Sequence, residues 1–159
     1  MIVVVLLAVC ALLWWGLGRA TVEEKIKRRL RGLAAEVSKD AEEGNMATLL
    51  SAAGLKKFFA APCLVVVDSR GVNEEFAPEE IAGKIVAARR QVDKLNVSFY
   101  DMSVEMQGAS RCVVYATVYA QARVAGERMT DASEFRFDLV EIDGKWRICE
   151  AREMKVLEK

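Results

Sequence analysis

An uncharged apolar segment near the start of the chain is the feature that most constrains its structure. Residues 2–17 contain no charged side chain, and Arg19 is the first charged residue. A helix needs about 20 apolar residues, and at least about 17, to cross the hydrocarbon core of a bilayer. Trp14 and Trp15 near its end suit the headgroup layer, where indole rings are favoured. We therefore expect a single-pass transmembrane helix in an inner (cytoplasmic) membrane, with the lipid bilayer as the partner of residues 2–17.

Three other interpretations of this segment stay open. A cleaved secretory signal has a similar apolar stretch, and Gly18-Arg19-Ala20 loosely fits a cleavage site, although no Lys or Arg precedes the stretch. Residues 7–10 loosely resemble a lipoprotein signal that ends in a cysteine. A buried core helix is the third alternative. We assign residues 1–18 to an anchor or signal segment and residues 19–159 to one folded domain.

Positive charge follows the apolar segment closely. The cationic residues are Arg19, Lys25, Lys27, Arg28, Arg29 and Arg31. The positive-inside rule then places the domain on the cytoplasmic side of the membrane. In the alternative interpretation these residues form the solvated face of the domain's first helix, and the domain is exported to the periplasm.

The charge balance and the missing histidine exclude several classes of function. The chain has 23 basic and 23 acidic residues, so no overall field attracts nucleic acid, and we expect no nucleic-acid partner. Without histidine there is no histidine-based acid–base catalysis, no Ser–His or Cys–His nucleophile pair and no imidazole metal site. The sequence contains no glycine-rich phosphate loop and no metal-ligand cluster, so we predict neither a metal nor another cofactor.

The cysteines match no metal-binding or redox motif. Cys112 and Cys149 both fall in predicted strands and could be neighbours. Buried cysteines that act as small apolar residues are the commoner case. A bridge between these two residues becomes an option if the domain is exported.

Apolar residues repeat every three or four positions in three segments, which predicts amphipathic helices. These helices run from about Val22 to Glu43, from Met46 to about Phe59 and from Pro78 to about Val92, with a short strand at 63–68 between the last two. The period changes to two from Leu95 onward, which predicts antiparallel strands, and a phase slip at Tyr100-Asp101 predicts a β-bulge.

The last strands are predicted as a long strand over 111–124 and a closing hairpin. Residues 135–142 pair with residues 145–152 across Asp143-Gly144, a pair that favours a two-residue type I′ turn. Two helices, a short strand, a third helix and then a long antiparallel meander are typical of an α+β domain. The predicted fold is therefore an N-terminal transmembrane helix followed by a cone of about three helices on a curved, mainly antiparallel sheet.

From about Thr21 to the C-terminus the chain resembles the nuclear transport factor 2-like, cystatin-like superfamily. The resemblance rests on the element order, on the Glu43-Gly44-Asn45-Met46 break and on the closing hairpin, Phe135-x-Phe137-x-Leu139 followed by Asp143-Gly144-Lys145-Trp146-Arg147-Ile148. It implies a cone-shaped fold. Members of that superfamily include ketosteroid isomerases, scytalone dehydratases and polyketide cyclases, but also non-enzymatic binding and assembly domains, some of them membrane-tethered.

The hairpin register defines the candidate site residues. A regular two-residue loop places Leu139 opposite Ile148 and Phe137 opposite Glu150. Strand alternation then puts Phe137, Trp146 and Glu150 on one face, and we predict these three residues as ligand-binding. If that face points inward, apolar surroundings raise the pKa of the Glu150 carboxyl toward that of a general base.

Two functions follow from these observations. In the first, the protein is a membrane-tethered, non-catalytic module that binds a small apolar ligand or an unknown protein, and it dimerises through the outer face of the sheet, where Tyr115 and Tyr119 lie. In the alternative it is an isomerase-, dehydratase- or cyclase-type pocket enzyme with Glu150 as the base and Tyr100 as a hydrogen-bond donor. The first is our main prediction, because Glu150 can equally be paired with Arg152 near the rim of the sheet.

Overall fold

The computed structural model describes residues 22–42 and 44–155. Within these residues no helix is long and apolar enough to cross a bilayer, and the apolar segment 2–17 lies outside them. The helices of the described part are α1 over 22–37, α2 Asn45–Lys56 and α3 Pro78–Arg90, with a 3-10 turn at Asp68–Arg70. The strands are β1 Phe59–Val67, β2 Val72–Phe76, β3 Lys94–Met106, β4 Arg111–Val124, β5 Glu127–Ile142 and β6 Lys145–Glu153.

The six strands form one curved sheet in the order β2-β1-β6-β5-β4-β3. Every neighbouring pair is antiparallel except β1 and β6, which are parallel. Three helices accompany this sheet in the described residues, so the predicted α+β cone with a mainly antiparallel sheet is confirmed.

The core lies between the helices and the inner face of the sheet. Helix α1 contributes Ile26, Leu30 and Leu33, which are spaced four and three residues apart and are all at most 5% exposed. Phe137 and Trp146 join them from β5 and β6, each 6% exposed. The predicted amphipathic stripe of the first helix is therefore confirmed.

Helix α3 begins where its sequence predicts. Pro78 occupies the first turn, where its missing N–H leaves no bond unmade. The Glu80 carboxylate accepts a hydrogen bond from the backbone N–H of Ala77 at 2.7 Å. At the other end, the Lys39 ammonium donates to the carbonyl oxygens of Arg89 and Val92 at 3.2 and 2.8 Å, and so ties the end of the helix to the segment that follows α1.

The first two helices end earlier than predicted. Helix α1 stops at 37 because the chain turns to pair with β3, where Lys39 and Leu95 exchange two backbone hydrogen bonds of 2.7 and 3.0 Å. Helix α2 stops at Lys56, and Phe59 already belongs to β1, where it pairs with Ile148 of β6. In both cases pairing with a distant strand overrides the local helical pattern.

Strand β5 begins eight residues before the predicted start, at Glu127 and not at Phe135. Its first half pairs with β4 along its whole length, from Val124 opposite Glu127 to Thr117 opposite Glu134. This half is largely polar and exposed, so its alternation is weak in the sequence. The predicted strand over 111–124 is confirmed.

In the described part of the sheet, register shifts interrupt three of the strand pairings, one of them between β1 and β6 at 59–64, and the other two concern the sequence predictions. The pairing of β3 with β4 shifts between Tyr100 and Ser103, and Asp101 has φ +52°, so the bulge predicted there is confirmed. A second shift occurs between β5 and β6, directly after Leu139 pairs with Ile148. No feature of the sequence indicated this second bulge, and it changes the candidate site.

Candidate functional site

The second bulge moves Glu150 to the outer face of the sheet. Leu139 lies opposite Ile148 as predicted, but Asp138 lies opposite Glu150 and Phe137 lies opposite Ala151. One additional residue, Cys149, is therefore inserted into β6, and the residues after it exchange faces. The prediction that Phe137 faces Glu150 is wrong.

On the outer face Glu150 belongs to a group of ion pairs. Its Oε1 accepts a hydrogen bond from Arg152 Nε at 2.8 Å, and on β5 Asp138 Oδ1 accepts one from Arg136 Nη2, also at 2.8 Å. The Glu150 side chain is 25% exposed. This carboxylate is thus solvated and paired with a cation, as in the alternative interpretation, and does not lie in apolar surroundings that favour a general base.

The structure does not bring Tyr100 to Glu150. Tyr100 is 54% exposed and contacts Tyr119 edge to face, with ring centroids 6.1 Å apart. Strands β4 and β5 separate β3 from β6, which places the two residues at least about 14 Å apart at the usual strand spacing. The predicted base and hydrogen-bond donor of the enzyme alternative are therefore not parts of one site.

The predicted ligand-binding trio is divided in the same way. Phe137 and Trp146 are buried in the core, whereas Glu150 lies on the other side of the sheet. The Phe137 ring stacks on Phe135 with centroids 5.7 Å apart and meets Phe99 edge to face at 5.6 Å. These aromatic rings therefore pack against one another as part of the core.

An open trough lies on the inner face beyond this core. We call it the inner trough; its volume is about 560 Å³, and its apolar lining includes Val118, Ala120 and Phe135. Val118 and Phe135 also pack against the core, which places the trough on the side of the helices. Its polar lining includes Arg70, Asp131 and Glu153. A cleft of this size and composition suits a small organic ligand.

Glu153 is the most firmly positioned carboxylate of the inner trough. Its two carboxylate oxygens accept hydrogen bonds from the backbone N–H and the hydroxyl of Ser69 at 3.0 and 2.9 Å. These bonds, with a further one from the Ser133 side chain, hold the pKa of Glu153 below its usual range. The carboxylate therefore stays ionised near neutral pH and is a poor proton donor and a weak base.

No pattern in the sequence indicated the inner trough as a site. Ser69 follows the predicted strand at 63–68, but Glu153 lies 84 positions later in the chain, and no local signal places the two side by side. In a regular hairpin without the bulge, strand alternation would place Glu153 on the outer face. The bulge at Cys149 is what turns this residue inward.

The three cysteines of the domain are free thiols. Burial raises the pKa of Cys63 and of Cys112 to about 12, so neither is a nucleophile near neutral pH. Cys149 is half-buried, and its thiol donates to the Asp138 carbonyl at 3.2 Å. Cys63 and Cys112 therefore act as small core residues, the commoner case for buried cysteine.

Much of the basic segment of α1 is engaged with the domain itself. Lys27 pairs with Glu23 at 2.7 Å, and the Arg29 guanidinium donates to the carbonyl oxygens of Trp146 and Lys57 and lies 4.2 Å above the Phe58 ring. Burial, and then the charge of Arg147, lower the pKa of Arg29. This arrangement weakens the positive-inside argument, because some of these cations have a structural role in either compartment.

No protein-family model and no curated protein matches the sequence. Solved structures do match the fold. A candidate scytalone dehydratase from Novosphingobium aromaticivorans is 12% identical, with 87% of each chain covered and a TM-score of 0.68. A nuclear transport factor 2-like protein with a cystatin-like fold from the same species is 13% identical, with 89% of this chain and 86% of that chain covered and a TM-score of 0.70.

A nuclear transport factor 2-like superfamily protein from Salmonella enterica is also similar. It is 13% identical, with 88% of this chain and 94% of that chain covered and a TM-score of 0.69. Identities this low support the fold but carry no activity across, because unrelated functions share this architecture. The chain therefore has the nuclear transport factor 2-like, cystatin-like fold that its element order and closing hairpin indicated.

Proposed function

We propose that this protein is a non-catalytic domain that binds a small ligand in the inner trough. The observation that carries the proposal is the state of the carboxylates. Glu150 is on the outer face in an ion pair with Arg152, and Glu153 in the trough is held ionised by Ser69. An acid–base enzyme needs a group whose pKa lies near the working pH and whose protons are free to move. Glu153, whose pKa is held low by Ser69, does not meet that requirement, and Glu150 lies outside the trough on the other face of the sheet.

The lining of the inner trough indicates the class of ligand. Val118, Ala120 and Phe135 suit an apolar body, while Asp131 and Glu153 outnumber the single cation, Arg70. Carboxylates accept hydrogen bonds and repel anions. We therefore expect a neutral or cationic molecule with an apolar part to bind better than an anionic one.

A methyl NMR titration of the full chain in neutral-detergent micelles tests this proposal. The probes are benzylamine, benzyl alcohol and benzoate, which share a ring and differ in charge. We expect saturable shifts of the Val118 methyl signals, strongest with benzylamine and weakest with benzoate, and unchanged probe after long incubation. Ala120→Trp should abolish the shifts by filling the trough, whereas Ala87→Trp on the exposed face of α3 should not.

Three results would contradict the proposal. One is the absence of saturable shifts with any probe, and another is an equal response in wild type and Ala120→Trp. The third is conversion of a probe into a product, which would favour the enzyme alternative.

The membrane tether is a further part of our proposal. Its support is the uncharged segment 2–17 with Trp14 and Trp15 near its end. A reporter fused at Lys159 that is active on one side of the membrane, together with a mass measurement for cleavage after Ala20, tests both the tether and the side. Cleavage would remove the tether, and an exported reporter would favour the periplasm over the cytoplasm.

We also propose a homodimer through the outer face of the sheet. Two adjacent rows there carry opposite charge: Arg136 lies opposite Arg152, and Asp138 lies opposite Glu150. Two copies related by a two-fold axis between these rows would place each acidic row over the partner's basic row. Light scattering of wild type and of the Arg136→Glu, Arg152→Glu double variant in neutral detergent tests this. A monomeric wild type would overturn it.

A further inference from the structure

We propose that the end of the sheet opposite the closing hairpin binds a phosphate-type oxyanion through Lys94, Arg123 and Arg128. We call these three residues the cationic row. They lie on β3, β4 and β5, near the tip of the β4–β5 hairpin. This site is separate from the inner trough and does not depend on what the trough binds.

The cationic row places like charges directly opposite one another. Lys94 lies opposite Arg123, and Arg123 lies opposite Arg128, so the central guanidinium has a cation on each side. Like charges in directly opposite positions destabilise a sheet. Neighbouring strands are about 4.8 Å apart, well within the distance over which salt fails to screen charges. An anion bound across the row would convert this repulsion into attraction.

The protein supplies little compensating negative charge. Lys94 Nζ lies 4.0 Å from Asp40 Oδ1, at the limit of an ion pair, and the Asp40 side chain is 92% exposed. In the described part of the chain, neither Arg123 nor Arg128 has a carboxylate within ion-pair distance. By contrast, Arg136 and Arg152 of the same sheet each have a carboxylate at 2.8 Å. Among the described residues, Arg123 and Arg128 therefore differ from Arg136 and Arg152 in having no carboxylate partner.

A pocket of about 520 Å³ accompanies the cationic row. Besides the three cations, its lining includes the polar residues Ser38, Asn96 and Gln121 and one acidic residue, Asp40. One wall is fixed, because Ser38 accepts a hydrogen bond from the backbone N–H of Val97 at 2.9 Å. The cations therefore border a concave space that is large enough for a phosphate and an attached organic group.

The chemistry of the three cations favours phosphate over a simple carboxylate. Guanidinium groups donate paired N–H bonds that match the oxygens of a phosphate, and an ammonium adds a point charge. Three positive charges also suit a group that carries up to two negative charges. A diffusible phosphorylated compound and a phospholipid headgroup both present this group, and the experiment distinguishes them.

The first test is thermal unfolding of the full chain in neutral detergent, titrated with inorganic phosphate while sodium chloride keeps the ionic strength constant. We expect a saturable rise in Tm of about 5–10 °C at 100 times the dissociation constant. Arg123→Gln should weaken phosphate binding at least tenfold. Without phosphate, the Tm of the same variant should be about 1–3 °C higher than that of wild type, because the variant relieves repulsion within the cationic row. The matched control Arg90→Gln, at an exposed position of α3, should change neither the affinity for phosphate nor the Tm without phosphate.

The second test repeats the measurement in nanodiscs of phosphatidylcholine with and without phosphatidic acid. A response to inorganic phosphate that Arg123→Gln removes assigns the site to a diffusible phosphate. A response to phosphatidic acid alone, removed by the same variant, assigns it to a lipid headgroup. The proposal is overturned if neither probe acts, or if both act equally on wild type and Arg123→Gln.

Discussion

The turn between β4 and β5 places an alanine in a conformation that alanine disfavours. Ala125 has φ +50° and Gly126 has φ +86°, as in a type I′ turn. The turn between β5 and β6 has the same form, with Asp143 at φ +52° and Gly144 at φ +70°. The left-handed region costs an L-residue about 1–2 kcal/mol, and Asn and Asp tolerate it best. The β5–β6 turn therefore has a suitable first residue, Asp143, whereas the β4–β5 turn has an unsuitable one, Ala125.

We predict that Ala125→Asn raises the free energy of unfolding by about 1 kcal/mol, because asparagine relieves most of this cost. Ala125→Gly should raise the free energy of unfolding by less, about 0.5 kcal/mol, because glycine also increases the conformational entropy of the unfolded chain. For a domain of this size the asparagine variant should raise Tm by about 3 °C. Asp143→Ala should lower the free energy of unfolding by a similar amount.

Thermal unfolding followed by circular dichroism, with the full chain in neutral detergent, measures these differences. Ala87→Asn on the exposed face of α3 is the control and should lower stability slightly, since asparagine is a poorer helix former than alanine. If Ala125→Asn leaves Tm unchanged while Asp143→Ala lowers it, the reasoning about the first turn is refuted. If both are neutral, left-handed strain has no measurable effect in either turn.

Three further predictions concern the described domain. Hydrogen bonds from Ser69 lower the folded-state pKa of Glu153, so the stabilisation they provide is present above the unfolded pKa and is lost as pH falls through the folded pKa. The free energy of unfolding of Ser69→Ala should therefore be lower than that of wild type at neutral pH and should approach the wild-type value in acid. A constant difference from pH 7 to pH 2 would contradict this prediction. Leu30→Ala should lower the free energy of unfolding by about 2–5 kcal/mol, because Leu30 is 1% exposed in the core. A decrease of less than 1 kcal/mol, measured by urea unfolding, would show that α1 is not docked. Cys63 and Cys112 should not react with a thiol reagent in the native state at pH 8, because burial raises their pKa to about 12. Both should react when the protein is unfolded. Fast labelling of either residue in the native protein, detected by mass spectrometry, would contradict the prediction.

Local signals in the sequence predicted the elements that depend on a few adjacent residues. The proline in the first turn located the start of α3, and Asp143-Gly144 located the closing turn. The spacing of Ile26, Leu30 and Leu33 identified the buried stripe of α1. These features were predictable because turn conformation, capping and helical periodicity are set within one or two turns of chain.

Features that depend on distant strands were not predictable in this way. Helix α1 ends at 37 because Lys39 pairs with Leu95, and the polar first half of β5 is a strand because β4 pairs with it. The bulge at Cys149 has the largest consequence, because one inserted residue moves Glu150 outward and Glu153 inward. Nothing within the hairpin sequence marks this insertion.

The sequence by itself therefore determined the fold class, the order of the elements except for the unpredicted strand β2, and the absence of histidine chemistry. The tertiary structure alone decided which carboxylate faces the inner trough and which cations stand together with little counter-charge. Ser69 meets Glu153, and Lys94, Arg123 and Arg128 align, only when the sheet is assembled in its register. Since side chains on a strand alternate with a period of two, a shift of a single residue reverses every face that follows it.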